Sequence, residues 1–292
     1  MRSSNPVFSR RGFSRSGGYA GFGAAPQAGS PVAGQGNPYA QTQAPTNPYA
    51  AGDQQNLTPE QLQQMYGAPP AGPLQTGRMT MDDVVMRTGM TLGTVIVAAA
   101  AAWIAQLPVG VGFGAALVAM VLGLVQSFKR TASPALIMGY ALFEGLFLGV
   151  ISQVYNERWS GIPMQAVLGT MAVFVGVLVA YKTRLIRVNA RFQRFVLAAA
   201  IGFVLLMAVN LLFALIGGGD GLGFRSGGLG IVFGLVGVVL GAAFLAMDFK
   251  QIEDGVQYGA PREESWLAAF GLTLSLVWIY LELLRLISIF RD

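Results

Sequence analysis

The sequence predicts an all-α integral membrane protein, a bundle of seven transmembrane helices that follows a disordered N-terminal tail. Composition is the first reason: of 292 residues, 53% are hydrophobic and 11% are charged, with a mean hydropathy of +0.54, whereas soluble domains carry about 25% charged residues. The second reason is a set of seven apolar runs of about 20 residues, each long enough to cross a hydrocarbon core of roughly 30 Å. The third is the contrast with the polar segment that precedes them.

The tail, residues 1–77, is rich in Gly, Pro, Gln, Ser and Ala, and it repeats Asn-Pro-Tyr-Ala at 37–40 and 47–50. Aliphatic residues are scarce, so little apolar surface would offset the entropy lost on ordering. We expect a solvated linker, or a tail that docks on a partner. The membrane domain is expected over 78–292, and its first apolar run should be an anchor because the basic first residues lack the apolar core of a signal peptide.

Local sequence signals mark several helix starts and turns. Thr80, followed by Asp82 and Asp83, is typical of a helix start, and a tight turn near 108–110 joins the first two runs. The Gly-rich segment 217–223 is interpreted as a flexible turn. All runs are too long and too continuously apolar for strands, and in lipid a segment must satisfy its own backbone groups. The spans are predicted at about 88–107, 109–128, 134–155, 162–181, 194–216, 228–249 and 267–290.

The distribution of bases predicts the orientation. With the tail in the cytoplasm, 15 of the 19 Lys and Arg residues fall on that side, as the positive-inside rule requires. These are Arg2, Arg10, Arg11, Arg15, Arg78, Arg87, Lys129, Arg130, Lys182, Arg184, Arg187, Arg191, Arg194, Lys250 and Arg262. The outer side holds Arg158, Arg225 and Arg291. Since Arg291 alone marks the far end of the last run, a re-entrant last segment is the alternative.

Several function classes are excluded by what the sequence lacks. It contains no His and no Cys, which removes thiol chemistry and the usual His/Cys metal sites. It also contains no hydrolase triad, HExxH motif, Walker loop or Rossmann fingerprint. We therefore expect no enzymatic activity, no bound cofactor and no nucleic-acid partner; the partners expected are the lipid bilayer and other membrane proteins, with the oligomeric state left open.

Four charged residues remain inside the predicted spans: Glu144, Asp248, Glu282 and Arg285. An ionised side chain at mid-bilayer costs at least about 2.5–3.5 kcal/mol, so such groups persist when they are paired, hydrated or functional. Two interpretations stay open. The residues form an ion or proton site, or they form a buried polar clasp between helices.

Asp248 can be assigned to a helix face. A stripe of small residues suited to close helix packing precedes it, at spacings of four, three and four. Asp248 follows the last of them by seven residues, or two helical turns, and so is expected to face the bundle interior. The stripe consists of Gly230, Gly234, Gly237 and Gly241.

The other two carboxylates have different surroundings. Glu282 shares a face with Gly271 and Ser275, and Arg285 lies one turn away as a candidate ion-pair partner. Glu144 lies near the middle of the third run, beside a small-residue contact motif that spans 145–149.

The sequence resembles the transmembrane Bax inhibitor motif family, the Bax inhibitor/YccA-like membrane proteins, over roughly residues 80–290. Three segments carry the resemblance: Phe-Glu-Gly-Leu-Phe-Leu-Gly at 143–149, Ala-Met-Asp-Phe-Lys-Gln-Ile at 246–252, and Trp-Ile-Tyr-Leu-Glu-Leu-Leu-Arg-Leu at 278–286. Residues 2–10 and 79–85 are similar to bacterial members with long N-terminal tails. The location implied is the bacterial plasma (inner) membrane, with several crossings.

The resemblance implies a bundle whose last helix is surrounded by the others, and a pH-sensitive Ca²⁺ leak governed by acidic residues on the sixth and seventh helices. Asp248 matches the first acid, and Glu282 stands where the family usually has aspartate. The two are 34 residues apart, so they meet only if the sixth helix continues past Asp248 and the seventh starts outside the bilayer. The segment 259–261, Gly-Ala-Pro, is a plausible turn for such a hairpin.

A mechanism follows as a hypothesis. Burial favours the protonated form of a carboxyl group, and two close carboxyls resist being charged together. A shared proton would clamp two helices, and its loss would open a path for Ca²⁺, a transported ion rather than a cofactor, which takes oxygen ligands such as those of Asp248, Glu282 and Glu144. The alternative function is that of a non-enzymatic regulatory partner of membrane proteases or stress machinery.

Overall fold

The computed structural model describes residues 77–129, 131–215 and 227–291. The predicted tail (apart from Gly77) and the Gly-rich turn at 217–223 lie outside these residues. Within the described part the protein is all-helical, and seven helices are long and apolar enough to cross a membrane, as the sequence predicted. They are α1 (Met81–Ile104), α2 (Val109–Phe128), α3 (Pro134–Arg158), α4 (Ile162–Lys182), α5 (Ala190–Leu215), α6 (Gly227–Gln257) and α7 (Glu264–Arg291).

Helix α1 begins at Met81, seven residues before the apolar run, because its first turn is capped. The Asp83 amide donates to Thr80 Oγ1 at 3.1 Å, and the Thr80 amide donates to Asp83 Oδ2 at 3.3 Å. This reciprocal capping box satisfies two amides that a helix start leaves without intrahelical acceptors. The helix therefore starts where its cap lies rather than where its hydrophobicity begins.

The hairpin of α6 and α7 is longer than the apolar runs predicted. Helix α6 continues to Gln257 instead of ending near 249, and α7 begins at Glu264 instead of 267. The 31 residues of α6 extend about 46 Å, which exceeds the roughly 30 Å hydrocarbon core. The predicted turn at 259–261 lies between the two helices, with Gly259 in the left-handed region at φ +68°.

Helix α7 lies at the centre of the described bundle. It packs against four others, α1, α3, α4 and α6. Its buried positions include Phe270, Val277, Ile279 and Leu284, which lie on several sides of the helix. The expectation that the other helices surround the last one matches this arrangement.

Helix α7 also runs from one end of the bundle to the other. Near its start, Arg262 Nε donates to Asp83 Oδ1 of α1 at 2.8 Å. At its far end, Arg291 Nη1 donates to the Ser160 carbonyl, between α3 and α4, at 2.7 Å. Its 28 residues cover about 42 Å, which is long enough to cross a hydrocarbon core of roughly 30 Å.

Helices α1 and α3 approach closely because glycines lie at their contact. A Cβ added at Gly145 would lie 2.5 Å from the Val95 carbonyl oxygen, and one at Gly149 would collide with the Ala99 carbonyl oxygen. Glycine thus lets the two backbones touch, which is how membrane helices gain packing energy without a hydrophobic drive between them.

We expect Gly149→Ala to destabilise the bundle by about 1–3 kcal/mol, because the added methyl group meets backbone that has no rotamer to adopt. Thermal unfolding in detergent is the measurement. The matched control is Gly176→Ala on α4, where an added Cβ meets nothing within 4 Å. Equal melting temperatures for the two variants would contradict the close contact.

Candidate functional site

The glycine face of α6 packs directly on large side chains of α7. Added Cβ atoms at Gly234 and Gly241 would lie 2.7 Å from Leu286 and 2.6 Å from Ile279. At Gly237 the added Cβ would lie 2.8 Å from Glu282 Cδ. Helix α7 therefore packs on the stripe of small residues. At Gly237 this contact places the Glu282 carboxylate against the α6 backbone.

Asp248 lies further along the same face, against the first half of α7. Ser275 Oγ donates to Asp248 Oδ2 at 2.5 Å. A Cβ at Gly271 would lie 3.0 Å from Asp248 Oδ1, so the glycine leaves room for the carboxylate. Asp248 is half-buried and packs against Gly271 and Ser275 of α7.

Glu282 belongs to a second polar cluster. Its Oε2 accepts from Arg285 Nη2 at 2.8 Å, and the two residues are 5% and 9% exposed. Beside them, Trp278 Nε1 donates to the Gly237 carbonyl at 2.9 Å. The ion pair that the sequence analysis weighed against a functional Glu282 is present and buried.

The structure does not bring Asp248 and Glu282 together. Ser275, the partner of Asp248, lies seven residues before Glu282, or roughly 10 Å along α7. In an antiparallel hairpin, residues at similar distances from the turn face each other, and this places Asp248 opposite Ser275 and Glu282 opposite Gly237. The pairing implied by the family resemblance is replaced by two separate contacts, even though α6 does continue past Asp248 as that pairing required.

Glu144, the third carboxylate, is 9% exposed on α3. No hydrogen bond or ion pair among the described residues joins it to Asp248 or Glu282. In the part of the chain that the structure describes, no three acidic side chains gather closely enough to hold a metal ion. A divalent cation among these residues would therefore meet fewer than three carboxylates at once.

Two further hydroxyl contacts attach α7 to its neighbours. Thr91 of α1 and Thr273 share a hydrogen bond of 3.0 Å, and both are almost completely buried. Ser152 of α3 and Tyr280 share one of 2.6 Å. Together with Ser275, these residues give α7 polar contacts to three different helices at successive levels of the bundle.

Ser275 is a site residue that the sequence alone does not indicate. In the sequence it is a small residue on the face of Glu282, whereas in the structure it donates a hydrogen bond to Asp248. Counting outward from the turn at 259–261 would have indicated it, because a symmetrical hairpin places Asp248 opposite the region of Gly271 and Ser275.

Comparison with known proteins agrees with this architecture. A family model described as Bax inhibitor 1 like matches residues 5–292, which is nearly the whole chain. A search of curated proteins finds no significant match.

We expect Glu282→Gln to destabilise the protein by about 3–5 kcal/mol, because it removes the carboxylate bound to a buried guanidinium. The double variant Glu282→Gln/Arg285→Gln should recover part of the loss, since both charges are then gone. Thermal unfolding in detergent measures both. The control is Glu263→Gln, an exposed acid in the turn before α7, and strictly additive losses in the double variant would contradict the ion pair.

Proposed function

The chain belongs to the Bax inhibitor 1 like family, membrane proteins suited to ion homeostasis, and on that premise we propose that it is a pH-sensitive Ca²⁺ leak controlled by Asp248. The supporting observation is the position of that carboxylate. It lies half-buried between two long helices, bonded to the Ser275 hydroxyl, in a hairpin that is otherwise closely packed through glycines.

The mechanism that we propose uses the two protonation states of one carboxyl group. Protonated Asp248 is neutral, so it fits the tight interface and joins α6 to α7 through Ser275. Loss of the proton leaves a charge in an apolar contact, which draws water and cations into the interface. The leak should therefore rise with pH.

Ca²⁺ fits this site as a passing ion. It takes six to eight oxygen ligands, and the Asp248 carboxylate with the Ser275 hydroxyl supplies only part of such a shell. Weak, incomplete coordination suits conduction, which needs an ion to leave as readily as it enters. Glu144 is proposed as a second contact for the ion, whereas the ion pair with Arg285 supports a structural role for Glu282.

We propose the bacterial plasma membrane as the location, with the N-terminus in the cytoplasm. The excess of Lys and Arg on the tail side supports this orientation. Since Arg262 binds Asp83, the turn between α6 and α7 lies at the end where α1 begins. Asp248 would then be reached from the cytoplasmic side.

We expect Asp248→Asn to abolish the pH dependence of Ca²⁺ efflux from liposomes and to hold it at the low level, because the amide mimics the neutral acid. Efflux of the wild type should rise across a series from acidic to alkaline pH. The control is Asp82→Asn, an exposed acid on α1. An unchanged pH profile in folded Asp248→Asn protein would overturn the gate, and a wild type without flux at any pH would favour the regulatory alternative.

A second variant tests whether a single carboxyl group, that of Asp248, controls the pH dependence of Ca²⁺ efflux. Ser275→Asp places an acid directly opposite Asp248, so two coupled protons should control the path. We expect the slope of efflux against pH to steepen from about one proton toward two. Ser275→Ala, which adds no acid, is the control and should keep the single-proton slope; a steepening in both variants would argue against a titrating partner.

A further inference from the structure

A deep groove opens between α1 and α4 at the end of the bundle where α1 begins. Its volume is about 940 Å³, near the upper limit of roughly 300–1,000 Å³ for small-molecule sites. Among the described residues α1 and α4 make no helix–helix contact with each other. The floor of the groove is formed by α6 and α7, with Phe249 and Leu276 among its lining residues.

The length of the groove is close to the thickness of one leaflet of a bilayer. On α1 it extends from Met81 to Leu92, about 16 Å of helix against roughly 15 Å for half of a hydrocarbon core. It crosses the boundary between the polar first turns of α1 and the apolar run that begins at residue 88. The α4 wall has a similar length, from Met171 to Lys182. Val85 on α1 is 71% exposed and Met171 is 56% exposed, so both apolar walls are open to the lipid side.

The end of the groove beside the last turn of α4 is basic. Lys182, Arg184 and Arg187 line it and all three are exposed. None of their side chains forms a hydrogen bond or ion pair with any described residue. The nearby acids are already engaged. Glu253 accepts from the Tyr181 hydroxyl, and Asp254 binds Lys250 at 2.6 Å.

We propose that this groove binds one anionic phospholipid, with an acyl chain along the apolar walls and the phosphate at Arg184 and Arg187. Guanidinium groups bind phosphate oxygens through paired, charge-assisted hydrogen bonds. Basic pockets between transmembrane helices at the cytoplasmic surface are suited to lipid headgroups. The proposal rests on the groove and its charges, and it does not depend on the proposed leak.

The test titrates the detergent-solubilised full chain with phosphatidylglycerol and with phosphatidylcholine, and counts bound lipids by native mass spectrometry. Phosphatidylglycerol should bind more tightly. Arg184→Gln/Arg187→Gln should weaken its binding about 30-fold, as expected for the loss of two surface cations. The matched control is Arg191→Gln/Arg194→Gln, which removes the same charge from bases of α5 that do not line the groove, and its affinity should stay within about twofold of wild type.

A second pair of variants tests the acyl chain. Val85→Trp fills the groove from an exposed position and should reduce the retention of both lipids, whereas Ile96→Trp, at an exposed α1 position outside the groove, should not. The proposal is overturned by an equal loss in the two double-arginine variants, which would mean general attraction to the basic surface. It is also overturned by full lipid retention in Val85→Trp, or by glycerol phosphate competing as well as the lipid, which would indicate a free phosphate site.

Discussion

The bundle depends on the burial of α7, because this helix carries the side chains that lipid would leave without hydrogen-bond partners. Glu282 and Arg285 neutralise each other at 2.8 Å, and Thr273 bonds across to α1. Each of these groups would cost several kcal/mol if it faced hydrocarbon. The Glu282–Arg285 pair lies within α7 itself, whereas α1, α6 and α3 supply hydrogen-bond partners to Thr273, Ser275 and Tyr280. These interhelical contacts help to fix the position of α7 in the bundle.

The glycines follow from the same constraint. A polar group of α7 reaches α6 only if the helices approach closely, and Gly237 and Gly271 supply that approach on the two sides of the hairpin. Glycine weakens a helix in water by about 1 kcal/mol relative to alanine, yet in lipid a helix cannot exchange its own hydrogen bonds for water. The bilayer thus reduces the drawback of glycine while keeping its benefit for packing.

The sequence was sufficient for the architecture because hydropathy is a local property. Seven apolar runs predicted seven helices, and Thr80 with Asp83 marked the start of α1 beyond its apolar run. The contacts of the site were harder, because they depend on the register of a hairpin, which the position of its turn determines. A shift of two helical turns separates the expected partner of Asp248, Glu282, from the actual one, Ser275, and no property of either residue alone encodes that shift.

That shift changes the chemistry available to the interface. Two facing carboxyls would share a proton and repel each other once both are charged, so their titration would belong to the pair. A serine opposite Asp248 cannot be charged, and it donates one hydrogen bond to the carboxylate. At this level α6 and α7 are joined by a single acid and a single donor. Such a contact is sensitive to small movements of α6 against α7, since a hydrogen bond weakens steeply once its geometry is lost.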